Sequence, residues 1–210
     1  MQKLVVILSL ILTLGAFAGD EGFDILTPKK VRKLLGDFPK PGSIEERIEF
    51  DLLLHYQNIR TQEVCAVAAA QDEVTLENLF VKNDGPLSLD EARELEPKIL
   101  AAYAEAGINI LIAKKTFNRP RPYDANPAII PCVPKEKSKA YPSGHTALVR
   151  LLAHVLSELY PERAAEFMAR ADQVALNRII GGVHHPSDIE SGNRLGDYLA
   201  DQVKFKIFYQ

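Results

Sequence analysis

Directly after Tyr141-Pro142-Ser143-Gly144-His145 the chain carries Leu148, Leu151, Leu152, Val155, Leu156 and Leu159, apolar positions three and four residues apart. That spacing puts them on one side of an α-helix and demands other elements to cover them. The chain supplies those elements in the same idiom. Ile48, Leu52, Leu53 and Tyr56 repeat at helical spacing from Ile44, and a second helical pattern runs from Ile59 through Val81. Ser88-Leu89-Asp90-Glu91 reads as a capping box that opens a long helix to about Phe117. Arg119-Pro120-Arg121-Pro122 ends it, because alternate prolines cannot continue a helix. Further helices are expected from Glu162 to about Ile180 and from Pro186 to about Lys204, separated by Gly181-Gly182. No stretch alternates long enough to argue for a sheet, so the expected fold is all-α, a single compact helical bundle.

The 210 residues suffice for one well-buried domain and are short for two. Lys3, the apolar run Leu4–Phe17 and the small-x-small pattern Ala16-Phe17-Ala18 read as a secretory leader over residues 1–18. The run is shorter than the roughly 20 residues that span a bilayer. Residues 19–43, rich in Lys, Pro and Gly, read as an N-terminal arm with at most a short helix around Lys30–Leu35, and residues 44–210 as the domain. The expected location is periplasmic or secreted, with no stable membrane span in the mature protein. A net charge of -3 gives no support to nucleic-acid binding, so any anion affinity must come from a local cluster. The two cysteines, Cys65 and Cys132, can pair in an oxidising compartment or stand as a buried small residue and a loop thiol.

Three stretches hold the groups suited to chemistry. In the first, Lys114 is followed after six residues by Arg121, which is fixed between Pro120 and Pro122. A rigid guanidinium offers a fork that matches two oxyanion oxygens. Arg119 is a further cation here and reads as a bystander. In the second, Ser143, Gly144 and His145 sit at the N-terminus of the central helix, where unpaired N–H groups and the positive dipole end favour an anion. The third is Arg178, His184 and Asp188. A carboxylate four residues after a histidine can fix its tautomer and leave the other nitrogen free as a nucleophile or base. His185 lies three residues before the same carboxylate, so spacing favours His184 only mildly. His145, His184, His185 and Asp188 can be imagined around a metal ion, but Lys114, Arg121 and Arg178 would repel it, so no metal and no cofactor is expected.

In order and spacing the three stretches resemble the three-part signature of the type 2 phosphatidic acid phosphatase (PAP2) superfamily: Lys114…Arg121-Pro122, Pro142-Ser143-Gly144-His145, and Arg178…His184…Asp188. The leader and helical frame look more like the soluble bacterial class A non-specific acid phosphatases than the membrane-embedded members. Asn177 stands where the family has serine before the arginine, a longer side chain that donates through an amide instead of a hydroxyl. The resemblance implies a bundle of the acid phosphatase–haloperoxidase type and a metal-independent phosphomonoesterase acting on small phosphate monoesters. It implies that Lys114, Arg121, Ser143, Gly144 and Arg178 hold the phosphoryl oxygens, that His184, oriented by Asp188, forms a phosphohistidine, and that His145 protonates the leaving oxygen. Alternatives are a vanadium-dependent haloperoxidase-like enzyme, a lipid-phosphate phosphatase, or a phosphate-binding protein without turnover. The resemblance leaves a homo-oligomer open and does not name the physiological substrate.

Overall fold

The computed structural model describes residues 24–207, so the leader expected over residues 1–18 lies outside the described residues. These residues form eight α-helices and no strand, in agreement with the all-α expectation. They are α1 (Pro28–Leu35), α2 (Ile44–Ile59), α3 (Gln62–Ala70), α4 (Leu89–Phe117), α5 (Pro122–Ala125), α6 (Gly144–Leu159), α7 (Ala164–Ile180) and α8 (Pro186–Ile207).

Local chemistry sets most of the boundaries. The Ser88 hydroxyl accepts from Glu91 N while the Glu91 carboxylate accepts from Ser88 N, so the capping box forms. Asn118, in the left-handed conformation at φ 55°, closes α4. The helix expected from Ile59 through Val81 is instead broken. α3 ends at Ala70, and a π-helical turn follows over Glu77–Val81. Between them Thr75 Oγ1 accepts from Asn78 N and Glu73 O accepts from Asn78 Nδ2, local bonds that compete with helix continuation.

The central helix is α6, packed along both α7 and α8. Because it is covered on two sides, its buried surface is wider than one stripe: Ala147, Val149, Leu151, Leu152, Ala153, Val155 and Leu156 are buried, while Leu148 is only partly covered and Leu159 is exposed. Each fully buried leucine here contributes roughly 1.5–3 kcal/mol. Two glycines on α8 set the distance to α6. A Cβ on Gly192 would lie 2.7 Å from Thr146 Cβ and 2.8 Å from Ser143 O, and one on Gly196 would lie 2.7 Å from Ala147 O. The close approach lets Ser143 N donate to Asp188 O at 2.9 Å, joining the starts of α6 and α8.

The main core includes Leu79, Phe80, Ile99, Ala106, Leu151, Leu152, Phe167, Val174 and Leu195. The segment read as an arm contributes Leu26, Val31 and Leu35 to it. A second cluster, Leu53, Ala68, Tyr123, Ile129, Val133, Ala175, Ile179 and Val183, lies between α2, α3, α7 and the loop after α5. Here Cys65 and Cys132 form a disulfide, which resolves the choice the sequence left open. No helix of the described residues is long and apolar enough to cross a membrane.

Candidate active site

Lys114 leaves the last turn of α4, and Arg121 caps α5 with extended backbone fixed by the flanking prolines. Ser143, Gly144 and His145 begin α6, Arg178 ends α7, and His184 and Asp188 flank the start of α8. Lys114, Arg121, Ser143, Arg178, His184 and Asp188 are all buried. A Cβ on Gly144 would come within 3.1 Å of Ile110 Cγ2 and into ordinary contact, 3.5 Å, with Lys114 Cε, so glycine there lets Ile110 pack close against the start of α6.

The hydrogen bonds assign the His184 tautomer. Asp188 Oδ2 lies 3.2 Å from Nδ1, and as a carboxylate it can only accept, so Nδ1 carries the proton. Nε2 then keeps its lone pair and accepts from Arg121 Nη1 at 3.0 Å. His184 is held well below its ordinary pKa, first by burial and then by the charge of Arg121, so the ring is neutral. His185 is bound to the same carboxylate oxygen, through Nδ1 at 3.1 Å and its backbone N at 2.8 Å. Its ring packs on Phe50 instead of facing Arg121, which separates two histidines that spacing could barely distinguish.

Asp188 is fully buried and held well below the usual carboxylate range. Burial alone would raise it, but hydrogen bonds from His184 and His185 and the charge of Arg119 outweigh that. Arg119 is therefore not a bystander. Its Nη1 donates to Asp188 Oδ1 at 2.7 Å and to Ser187 Oγ at 2.8 Å, and its Nη2 donates to Glu49 Oε2 at 2.6 Å. Glu49 on α2 also accepts from Ser187 N at 2.7 Å, so α2 and the start of α8 are tied through buried charge.

His145 sits opposite. Its Nε2 donates to the carbonyl of Asp72 at 2.6 Å, which leaves Nδ1 facing Glu136, 3.9 Å away. Burial and the charge of Arg178 lower its pKa to about 3. Burial and Arg121 likewise lower Lys114 to about 7. Arg178 reaches Asp72 at 3.1 Å and Glu136 at 3.5 Å through Nη2, while its buried Nε and Nη1 have no hydrogen-bond partner among the described residues. Asp72, Glu136 and His145 bring metal-type ligand atoms within 4.8 Å of one another, but Arg178 already lies against both carboxylates. Asn177 is buried and donates through Nδ2 to Gln71 Oε1 at 2.8 Å.

Glu49, Asp72 and Glu136 are absent from the sequence reading. Only Glu49 left a trace there: it precedes Leu53 by four residues, a carboxylate on an apolar helix face. Asp72 and Glu136 lie in irregular segments and left none.

Residues 98–200 match the model of the PAP2 superfamily. A non-specific acid phosphatase of Salmonella typhi is 41% identical over 177 residues, covering 75% of this chain and 68% of that protein. One from Salmonella typhimurium is 42% identical over 90 residues, covering 40% of this chain and 35% of its own length. The matched stretches thus span from about a third to two thirds of these relatives. Among solved structures, a bacterial vanadium-dependent iodoperoxidase superposes with a TM-score of 0.64 at 19% identity, over 88% of this chain and 55% of that one.

Proposed function

Since this chain belongs to the PAP2 superfamily, among the bacterial non-specific acid phosphatases, we propose that it is an exported phosphomonoesterase that works through a phosphohistidine and needs no metal. The observation that carries this reading is the His184 arrangement, with Nδ1 bound to Asp188 and the Nε2 lone pair held against Arg121. Lys114, Arg121 and Arg178, with Ser143 and the Gly144 backbone N–H, hold the phosphoryl oxygens. Phosphoryl transfer mainly requires positioning and stabilisation of charge on those oxygens, which fixed cations and amides supply.

His184 Nε2 attacks phosphorus as the ester P–O bond breaks. The electron pair leaves with the ester oxygen, which takes a proton from His145 Nδ1. Water then attacks phosphorus and gives a proton to His145, and the P–N bond breaks to return the pair to Nε2. In the resting protein His145 is neutral above about pH 3. A bound phosphate dianion offsets the Arg178 charge that depresses it, and so raises its affinity for the proton it must donate. Lys114 loses its charge as pH rises through about 7, which places best activity on the acid side. Export is supported by the leader-like residues 1–18 and by a disulfide, which persists in oxidising compartments.

The test is phosphate release from an aryl phosphate by the purified protein in EDTA. Activity in EDTA, loss of activity with His184→Ala and an acid-labile phosphoryl adduct on the wild type are expected. A His184→Ala variant as active as wild type, or activity abolished by EDTA, would remove the mechanism.

A further inference from the structure

Most of the polar groups assigned to the phosphoryl seat already have acceptors, and one short segment provides many of them. Lys114 Nζ donates to Lys139 O at 2.5 Å. Arg121 Nε donates to Ser138 O at 2.8 Å and Nη2 to Ser138 Oγ at 3.0 Å. The Glu136 carboxylate lies 3.9 Å from Arg121 Nη2, 3.5 Å from Arg178 Nη2 and 3.9 Å from His145 Nδ1. Residues 136–139 thus put a negative charge, two carbonyls and a hydroxyl against the cations meant for a phosphoryl group.

The segment is held in that pose. Tyr123 Oη donates to Glu136 O at 2.9 Å and accepts from Glu136 N at 3.0 Å. The chain is anchored four residues before Glu136 by Cys132 and four residues after it by Ala140 N, which donates to Arg119 O at 3.0 Å. The Glu136 side chain itself is a quarter exposed, so it can swing into water at little cost.

We propose that residues 136–139 form an internal strap over the oxyanion seat, with the Glu136 carboxylate competing with the phosphoryl group for Arg121, Arg178 and His145. This rests on the phosphatase reading above. Glu136 presents two oxygens and leaves Arg178 Nε and Nη1 without a partner, whereas a tetrahedral oxyanion has further oxygens to offer them. A phosphate dianion therefore displaces the Glu136 carboxylate from a strap that stays in place, while a lone carboxylate gains nothing over Glu136. The same competition weakens the hold on product phosphate and sets how tightly substrate binds. Glu136 in this account determines specificity and affinity and takes no part in bond making.

The experiment compares wild type with Glu136→Gln and Glu136→Ala. It measures KM and kcat on an aryl phosphate, Ki for orthophosphate, and the orthophosphate Kd by calorimetry. Removing a partly exposed competing charge should lower Ki and Kd about three- to tenfold in both variants, with KM following. Unchanged or weaker orthophosphate binding in both would overturn the strap, and a fall in kcat with no tightening would make Glu136 a positioning residue for His145 or Arg178 instead. Calorimetry needs no turnover, so the two readings fail separately. A wild type that binds orthophosphate but hydrolyses no ester sinks the phosphatase reading, and an active wild type whose variants bind no tighter sinks only the strap.

Discussion

Replacing Arg119 by methionine keeps most of the stem and deletes the guanidinium that joins Glu49 to Asp188. Both carboxylates are buried, Asp188 completely, so neither regains water when the cation goes. Each loses a charged hydrogen bond, at 2.6 and 2.7 Å respectively. Such bonds are worth about 1.5–3 kcal/mol apiece, and stranding a buried charge costs about 3–5 kcal/mol in total. The expected loss is therefore about 4 kcal/mol, with a further small loss from the Phe38 ring that the guanidinium faces at 4.9 Å. With a urea m-value of about 2 kcal/mol/M, the midpoint falls by about 2 M. The penalty also has a pH signature. Asp188 has a depressed folded pKa, so its stabilisation is present above its unfolded value of about 3.9 and is lost as pH falls through the folded value. Removing Arg119 raises the folded value, so the deficit of the variant is full at neutral pH and narrows as acidification passes the variant's folded value. Urea unfolding of both proteins at pH 7 and pH 3 reads this directly. A deficit under about 1 kcal/mol at pH 7, or one that grows on acidification, would refute the account of Arg119 as the ion that holds Asp188.

Three further outcomes follow from the same geometry. Asn177→Ser should cost about 1–3 kcal/mol in urea unfolding, because the buried Gln71 loses the donor to its Oε1 and its Nε2 already has no partner among the described residues; kcat/KM should move less than tenfold. Converting Cys65 and Cys132 together to serine should cost about 4 kcal/mol on the loop-entropy scale for a separation of 67 residues, read as a lower urea midpoint that reducing agent no longer shifts. Across a pH series the alkaline limb of kcat should lie above that of kcat/KM. The free protein carries His145 at about 3 and Lys114 at about 7, while a bound dianion raises both; coincident limbs, or a flat profile from about pH 4 to 8, would count against His145 as the acid.

The helical frame was legible because its signals are local. The capping box at Ser88, the Arg-Pro-Arg-Pro stop and the stripe on α6 each act within a few residues of themselves. The basic cradle was legible as a set of motifs, since each of its pieces keeps a fixed internal spacing. What joins the pieces was not. Whether His184 or His185 faces Arg121 depends on which ring packs on Phe50, 135 residues from His185 by number (185 less 50). Arg119 and Arg121 look equivalent in sequence, alternating with prolines, yet one turns toward Glu49 and Asp188 and the other toward His184. The helix break at Ala70 was missed because the residues after it have ordinary helix-compatible composition and are bent by hydrogen bonds among Glu73, Thr75 and Asn78. That bend is what brings Asp72 to His145 and Arg178.

The Cys65–Cys132 bond has a meaning beyond cohesion. It fastens the stretch leading into Glu136 to α3, the helix that ends just before Asp72. One covalent link therefore tethers both acidic residues that face Arg178, one through each half of the cystine. In a chain that never oxidised, Glu136 would keep its hydrogen bonds to Tyr123 but lose its covalent tie to α3. On the phosphatase reading, the thiol state of the compartment would then bear on the affinity of a site that contains no sulfur.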